Sequence, residues 1–471
     1  MITASLEPRS RAPHRRRLIA AAVASLLAGC SVGPDYHRPE TPAPQDWRVA
    51  AGAADWPSAE WWHGFGSTRL DSLIAQAHEA NYDIAAAVAR VREADAQARI
   101  AGAPLLPSIG ANAAVTHERA SGSGAGLKTF TSYTPGLTAS YELDFWGKNR
   151  AAATAAEATA AASRYDQATI ELTIMTSVAN TYFQALELRD RLTVAEQNLK
   201  AAQDILDALQ RQEQVGTANA LDVAQQQTTV ATLNAVIPPL RQQLSQTIDA
   251  LAILIGQPPE SLDVTAGGLA DIAAPKVAPG LPSELLARRP DIAEAEANLQ
   301  SANANITVAR AAFFPSIQLT GSAGFASTAL SSLFNPSNGL FSLAAGLTQP
   351  IFEGGALEGQ YEFSKARYDE LVATYRKSVI SAFGNVEDAL AAVQQTTDQL
   401  DRQQAATDAA RHAYDIAQAQ LHAGTINILT VLNTETALFT SQDALVQARF
   451  ARLQAIVSLY NALGGGWQLQ A

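Results

Sequence analysis

Between Arg150 and Val215 the chain runs 66 residues without a glycine or a proline. Those two residues interrupt most segments, because proline cannot donate the helix hydrogen bond and glycine loses the most backbone freedom on folding. The stretch is rich in Ala, Gln, Leu and acids, with apolar residues three and four apart, so it predicts one continuous helix of coiled-coil character. At ~1.5 Å per residue that helix is about 100 Å long. A helix this long cannot be covered by one protomer's own side chains. Gly216 ends it, and a second helical run returns as far as Gly256. Pro238-Pro239 inside that return run are expected to kink or break it.

The same plan occurs twice. Asp83-Ile84 recurs as Asp291-Ile292, Pro107-Ser108-Ile109 as Pro315-Ser316-Ile317, Gly216-Thr217 as Gly424-Thr425, and Leu221-x-Val223 as Leu429-x-Val431, always 208 residues on. Arg164-Tyr165-Asp166 matches Arg367-Tyr368-Asp369 at an offset of 203, which implies small length changes that cancel. Two copies are too few for a solenoid and imply a pseudo-symmetric object. The chain divides into a leader (1–29), an anchored N-terminal segment (30–67), a first repeat (68–257), a Pro-rich link (258–282), a second repeat (283–464) and a tail (465–471). In each repeat a helical stretch, 68–103 in the first, precedes two extended stretches and then the long helix and its return. The second long helix is expected over 356–423 and its return over 425–463.

The extended stretches alternate with period two. Tyr133, Pro135, Leu137, Ala139, Tyr141 and Leu143 are interleaved with Thr134, Gly136, Thr138, Ser140, Glu142 and Asp144. Ile317, Leu319, Ala323 and Phe325 alternate with polar or small residues, as do Phe341, Leu343, Ala345 and Leu347. Runs of ~10 residues with this period, flanked by Phe145-Trp146, Phe313-Phe314, Phe334 and Phe352, are the pattern of a transmembrane barrel with aromatic girdles. Strands are expected near 107–119, 130–145, 315–326 and 340–352. Four strands cannot close a barrel, for which about 8 is the small limit, and an open edge cannot face lipid. The chain must therefore oligomerise, as a dimer of eight strands or a trimer of twelve. The polar loops around Gly122–Gly126 and Ser331–Asn338 are expected to face the cell exterior.

Arg15-Arg16-Arg17, the apolar run Leu18–Leu27 and the small residues after it form a secretory leader too short to span a bilayer. It ends Leu27-Ala28-Gly29-Cys30, a lipoprotein processing box, so Cys30 is expected to become the acylated N-terminus. Ser31 follows it, which resembles the outer-membrane sorting pattern. The chain has one cysteine, which excludes an intramolecular disulfide. Without the leader the charge is 28 − 44 = −16, because the leader holds five of the 33 Lys+Arg and one of the 45 Asp+Glu. Such a chain is a poor polyanion binder, and nucleic acid is excluded as a partner.

No chemistry-bearing constellation emerges. Gly122 to Lys128 lacks the glycine that a phosphate loop places before its lysine. His412 and His422 have no acid spaced for a metal. Glu142 and Asp144 read as a solvated strand face, and Trp56, Trp61, Trp62 and Phe65 as an anchor for the N-terminal segment. The chain is therefore read as no enzyme, with no cofactor or metal beyond the lipid on Cys30. A periplasmic coiled-coil lipoprotein spacer would account for the helices and the lipid, but not for the strands.

Taken together, these residues resemble the TolC-like outer membrane efflux proteins, in particular the lipoprotein branch that serves resistance-nodulation-division pumps. The matching runs are Cys30-Ser-Val-Gly-Pro-Asp-Tyr36, Trp61-Trp62-x-x-Phe65, Leu281-Pro-Ser-Glu-Leu-Leu-Ala-Arg-Arg-Pro-Asp-Ile292, Phe314-Pro-Ser-Ile317, Gln349-Pro-Ile-Phe352 with Gly354-Gly355, and Ala462-Leu-Gly-Gly-Gly-Trp467. The resemblance implies an α+β membrane protein. Three chains would share a 12-stranded outer-membrane barrel continued by a periplasmic α-helical barrel. It implies a passive exit duct for drugs or other small molecules, with a periplasmic membrane-fusion adaptor and an inner-membrane antiporter as partners. An outlet for protein or oligosaccharide secretion is the alternative. The turns Gly216-Thr217 and Gly424-Thr425 would form the periplasmic tips and the adaptor's docking place. The resemblance also places a gate at Leu429 and Asn433, with Asp222 as its counterpart in the first half. The family often has an acid where Asn433 stands, so weaker cation preference is expected.

Overall fold

The computed structural model describes residues 32–42, 44–48, 56–121, 127–262, 267–277 and 280–468. The main elements, in order, are α1 (Thr68–Ala80), α2 (Tyr82–Gly102), β1 (Ser108–Ser121), β2 (Leu127–Leu143), α3 (Lys148–Gln214) and α4 (Ala220–Leu254). They are followed by α5 (Pro290–Ala311), β3 (Ser316–Phe325), β4 (Gly339–Thr348), α6 (Ala356–His422) and α7 (Ile428–Ala462). The leader, Cys30 and the loop 122–126 lie outside the described residues.

Long helices appear where glycine and proline are missing. α3 and α6 each have 67 residues, α4 and α7 each 35, and every one of their boundaries is displaced by 208. The hairpins differ in length, but the difference is absorbed before α6 begins. The match of Arg164-Tyr165-Asp166 to Arg367-Tyr368-Asp369 is therefore a coincidence of sequence, because the helix register pairs Arg164 with Val372.

Two further expectations need correction. The helical stretch 68–103 is two helices, broken at Asn81, whose Oδ1 accepts from the N–H groups of Asp83 (2.8 Å) and Ile84 (3.1 Å). Asparagine ends one helix there and caps the next, with neither glycine nor proline present. Pro238-Pro239 do not break α4, which runs through both. The carbonyls that lose their partners belong to Asn234 and Ala235, both exposed, so solvent can satisfy them.

The described residues form two units. The first holds the strands, residues up to Pro39, Arg92–Ala162 and Glu296–Thr374. Its sheet is antiparallel in the order β1-β2-β3-β4, so β1 and β4 are its edges. At its base Trp146 stacks on Phe314 with ring centres 4.7 Å apart and donates its Nε1–H to the Pro315 carbonyl at 2.8 Å. Asp144 lies just beyond β2 and not on its polar face. Its carboxylate accepts from the N–H groups of Asn149 (3.0 Å) and Arg150 (2.9 Å), so it caps the start of α3.

The second unit is helical, comprising Glu40–Val91, Ser163–Ala295 and the chain from Tyr375 onward. Its core packs Phe65, Leu70, Leu73, Phe183, Leu186 and Val457, all fully buried or nearly so. Trp61 stacks on Tyr460 at 4.9 Å and Trp47 donates to the Gly280 carbonyl at 2.8 Å, so the tryptophans do anchor the N-terminal segment. The repeat governs this packing too. Asn81 Nδ2 donates to the Leu254 carbonyl at 2.8 Å, and Arg289 Nη1, 208 residues on, donates to the Ala462 carbonyl at 2.8 Å.

Candidate channel wall and helix-tip gate

The sheet register sorts side chains into two faces. Ile109 pairs with Ala139, Ala111 with Leu137, Ala113 with Pro135 and Val115 with Tyr133. Leu137 pairs with Ala323 and Tyr141 with Leu319; Ala323 pairs with Phe341, and Ile317 with Leu347. Because side chains alternate along a strand, all these odd-numbered residues share one face. It is apolar across all four strands, and its large side chains are exposed: Ile109, Val115, Leu137, Phe341, Leu343 and Leu347 among them. The opposite face carries Ser108, Asn112, Thr116, Thr134, Thr138, Ser140, Gln318, Thr320, Ser322 and Ser342. A sheet with one lipophilic face and one hydroxyl-rich face separates hydrocarbon from a wet lumen. Toward the β1–β2 tip the odd face turns polar, with His117 Nδ1 2.9 Å from Thr131 Oγ1.

The turns between long and return helices are built alike. Gly216 has φ +78° and Gly424 φ +71°. The Gly216 N–H donates to the Glu213 carbonyl (2.9 Å) and the Thr217 N–H to the Gln212 carbonyl (2.8 Å). The Gly424 and Thr425 N–H groups do the same to Leu421 and Gln420, both at 3.0 Å. This is the Schellman closure, which needs a left-handed residue after the helix and so favours glycine. Each threonine hydroxyl donates to the same carbonyl as its own N–H, at 3.0 and 3.1 Å. The return helix is then capped by Asn219, whose Oδ1 accepts from the Asp222 N–H at 3.0 Å, or by Asn427, which accepts from the Thr430 N–H at 3.3 Å. Gly-Thr-x-Asn-x-Leu is thus a complete helix-turn-helix signal. It stands in the sequence twice, and the asparagines are the part of it that sequence reasoning missed.

Leu429 and Asn433 lie four residues apart in the first turns of α7 and are both exposed, so they share a face that the single chain leaves uncovered. Asp222 is not their counterpart. Its carboxylate bonds the Asn219 N–H at 3.4 Å in a capping box, and the helix register pairs it with Thr430. The register pairs Leu429 with Leu221 and Asn433 with Gln225. Beside this turn a groove of about 600 Å³ is lined by Asp204, Gln212, Thr217, Tyr414, Gln418 and Ile426, among others. Among the described residues no cluster of His, Cys, Asp and Glu could hold a metal ion, and no helix is long and apolar enough to cross a membrane.

The family model described as outer membrane efflux protein matches residues 73–257 and again 281–465. The chain belongs to the outer membrane efflux protein family. The pyoverdine export outer membrane protein OpmQ of Pseudomonas aeruginosa is 42% identical over 453 residues, covering 94% of this chain and 95% of the relative. The cation efflux system protein CusC of Escherichia coli K12 is 34% identical over 463 residues, covering 96% and 99%. The crystal structure of the open state of the Neisseria gonorrhoeae MtrE outer membrane channel superposes with a TM-score of 0.86 at 31% identity, over 93% of this chain and 99% of that one. This efflux protein is accordingly an outer-membrane channel of a tripartite efflux system and not an enzyme, with four strands and long periplasmic helices in two repeats.

Proposed function

We propose that the efflux protein works as a homotrimeric, passive exit duct for small molecules, closed at the helix tips by Leu429 and Asn433 and tethered to the outer membrane by lipid on Cys30. The observation that carries this reading is the pair of sheet faces. One chain supplies a third of a wall that is apolar outside and hydroxyl-lined inside, and the free edges of β1 and β4 are costly in lipid until three copies close twelve strands. At the tips Leu429 and Asn433 support a constriction by apolar packing and amide hydrogen bonds. An asparagine ring carries no charge, so its cation preference is weaker than that of a carboxylate ring.

The chain ahead of the first helices supports the tether. Gly33 packs so closely on Thr307 that a side chain there would overlap its Oγ1. Asn303 Nδ2 donates to the Pro34 carbonyl at 3.1 Å, and Arg38 grips Glu296 with bonds of 2.7 and 2.5 Å. The segment therefore lies antiparallel along α5, with Gly33 toward the end that leads into β3. A membrane-fusion adaptor at the Gly216-Thr217 and Gly424-Thr425 tips and an inner-membrane resistance-nodulation-division antiporter complete the proposed assembly.

Conductance of the reconstituted protein in planar bilayers tests the gate. Leu429→Ala with Asn433→Ala is expected to raise single-channel conductance and the entry of large antibiotics into cells. A folded trimer of this variant that conducts like the parent would place the gate elsewhere. Intact-mass analysis of the membrane fraction tests the tether, and a mature N-terminus other than acylated Cys30 would refute it.

A further inference from the structure

Four helices of the second unit converge on one carboxyl group. Glu435 on α7 and Gln226 on α4 are both 0% exposed. The Gln226 amide lies against the Glu435 carboxyl. Its Nε2 donates instead to the Ala202 carbonyl of α3, at 2.8 Å. That bond fixes the amide's orientation, since a flipped amide would set one acceptor against another. Gln226 Oε1 and both Glu435 oxygens are left without a hydrogen-bond donor among the described residues. From α6, Tyr414 faces the carboxyl; burial, then Glu435 and Asp415, push its phenol up to about 12. The Tyr414 hydroxyl is engaged by Gln418 Nε2 at 2.6 Å. Around this cluster lie Leu209, Val223, Val431, Leu432, Leu438 and Phe439. A carboxyl group fully buried in an apolar cluster with no hydrogen-bond donor on either oxygen is favoured in its neutral, protonated form.

We propose that Glu435 is a proton-controlled latch: protonated, it is a neutral group that the buried cluster accepts, so that α3, α4, α6 and α7 stay packed together at the tip, whereas deprotonated it leaves a buried, uncompensated charge that loosens the tip and favours conduction. The proposal rests on the tip being the gate, because α7 also carries Leu429 and Asn433. Burial, opposed in part by the Gln226 amide, pushes the carboxyl from its ordinary 4.5 up to about 7. The sign follows from linkage. The closed tip holds the proton more tightly than a loosened tip whose carboxyl meets water. Closure is thus fully favoured below the ordinary value, weakens as pH rises toward the buried one, and stays weak above it. A difference of this size shifts the open-to-closed ratio by up to about 300-fold.

The test uses the full-length trimer in planar bilayers between about pH 5.5 and about pH 8.5, with infrared spectra of the same preparation across the same range. The parent is expected to conduct at least tenfold more at the upper end, and to lose a protonated-carboxyl band with the same midpoint. Glu435→Gln supplies a permanent neutral group, so it is expected to stay at the parent's low-pH conductance throughout and to lack the band. A parent conductance flat with pH, or a Glu435→Gln trimer that keeps the parent's pH response, would overturn the latch. If Glu435→Gln yields no trimer, the parent's two midpoints decide, and their disagreement rejects the proposal. The outcome is separable from the gate's location, since the band reports the proton without conduction and Leu429→Ala with Asn433→Ala tests the constriction directly.

Discussion

Glycines with the same backbone angle have different roles at the two ends of the return helices. At Gly216 and Gly424 a built Cβ meets nothing within 4 Å, so alanine there costs only the left-handed backbone, about 1–2 kcal/mol. At Gly256 and Gly464, with φ +70° and +84°, a Cβ would run into the carbonyl oxygens of Ala80 and Arg288. Gly256→Ala and Gly464→Ala should therefore cost on the order of 3 kcal/mol or more, because backbone must move. Thermal melting of the four alanine variants should separate them into these two pairs. Buried charge gives a second contrast. Arg191 reaches Glu187 at 3.2 Å and Asp443 at 2.6 Å, and burial raises the Glu187 carboxyl's pKa against Arg191's opposing pull. Arg191→Met should destabilise by about 2 kcal/mol, a value discounted for partial exposure. Without the cation the Glu187 pKa rises further, and a raised carboxyl withdraws stability as pH rises through it. The melting-temperature gap to the parent should accordingly be wider at about pH 8 than at about pH 5. The contacts of Gly256 with Ala80, Gly464 with Arg288 and Arg191 with Asp443 could not be read from the sequence, since each joins residues far apart in the chain; the left-handed glycines at 216 and 424 could, because a helix stop is a local event.

Elements were legible in proportion to how local their causes are. The strands expected near 107–119, 130–145, 315–326 and 340–352 stand within about four residues of those bounds, and alternation marks the last three because it reflects two solvents on either side of a sheet. The register that makes the odd-numbered face continuous was not legible, since it depends on which strands pair. Two glycines inside α6, Gly359 and Gly384, failed to interrupt it, whereas Asn81 broke a helix with no such residue, because its side chain competes for backbone N–H groups. The faces carry a prediction of their own. Leu343→Lys on the apolar side, 83% exposed, should impair membrane assembly by about 2–4 kcal/mol. Ser342→Lys, one residue away on the other face, should assemble normally and shift ion selectivity toward anions. Heat-resistant mobility and reversal potentials read the two effects.

At the scale of the whole molecule, the topology implies that the β3–β4 connection is exterior. A cysteine at the exposed Ser337 should react with an impermeant reagent on intact cells; labelling only after the outer membrane is opened would invert the orientation. The equivalent probe at Ser123 lies outside the described residues and tests the same arrangement. The two repeats share helices of 67 and 35 residues, while their strands run to 14 and 17 residues in one and 10 and 10 in the other. A single residue deleted from α3 alone would draw its terminal turn back by ~1.5 Å and swing it by roughly 100° relative to the turn after α6. The helices thus behave as a matched pair of rulers. Between the two repeats of this chain the difference in length falls in the hairpins, while helix length is kept as a shared standard.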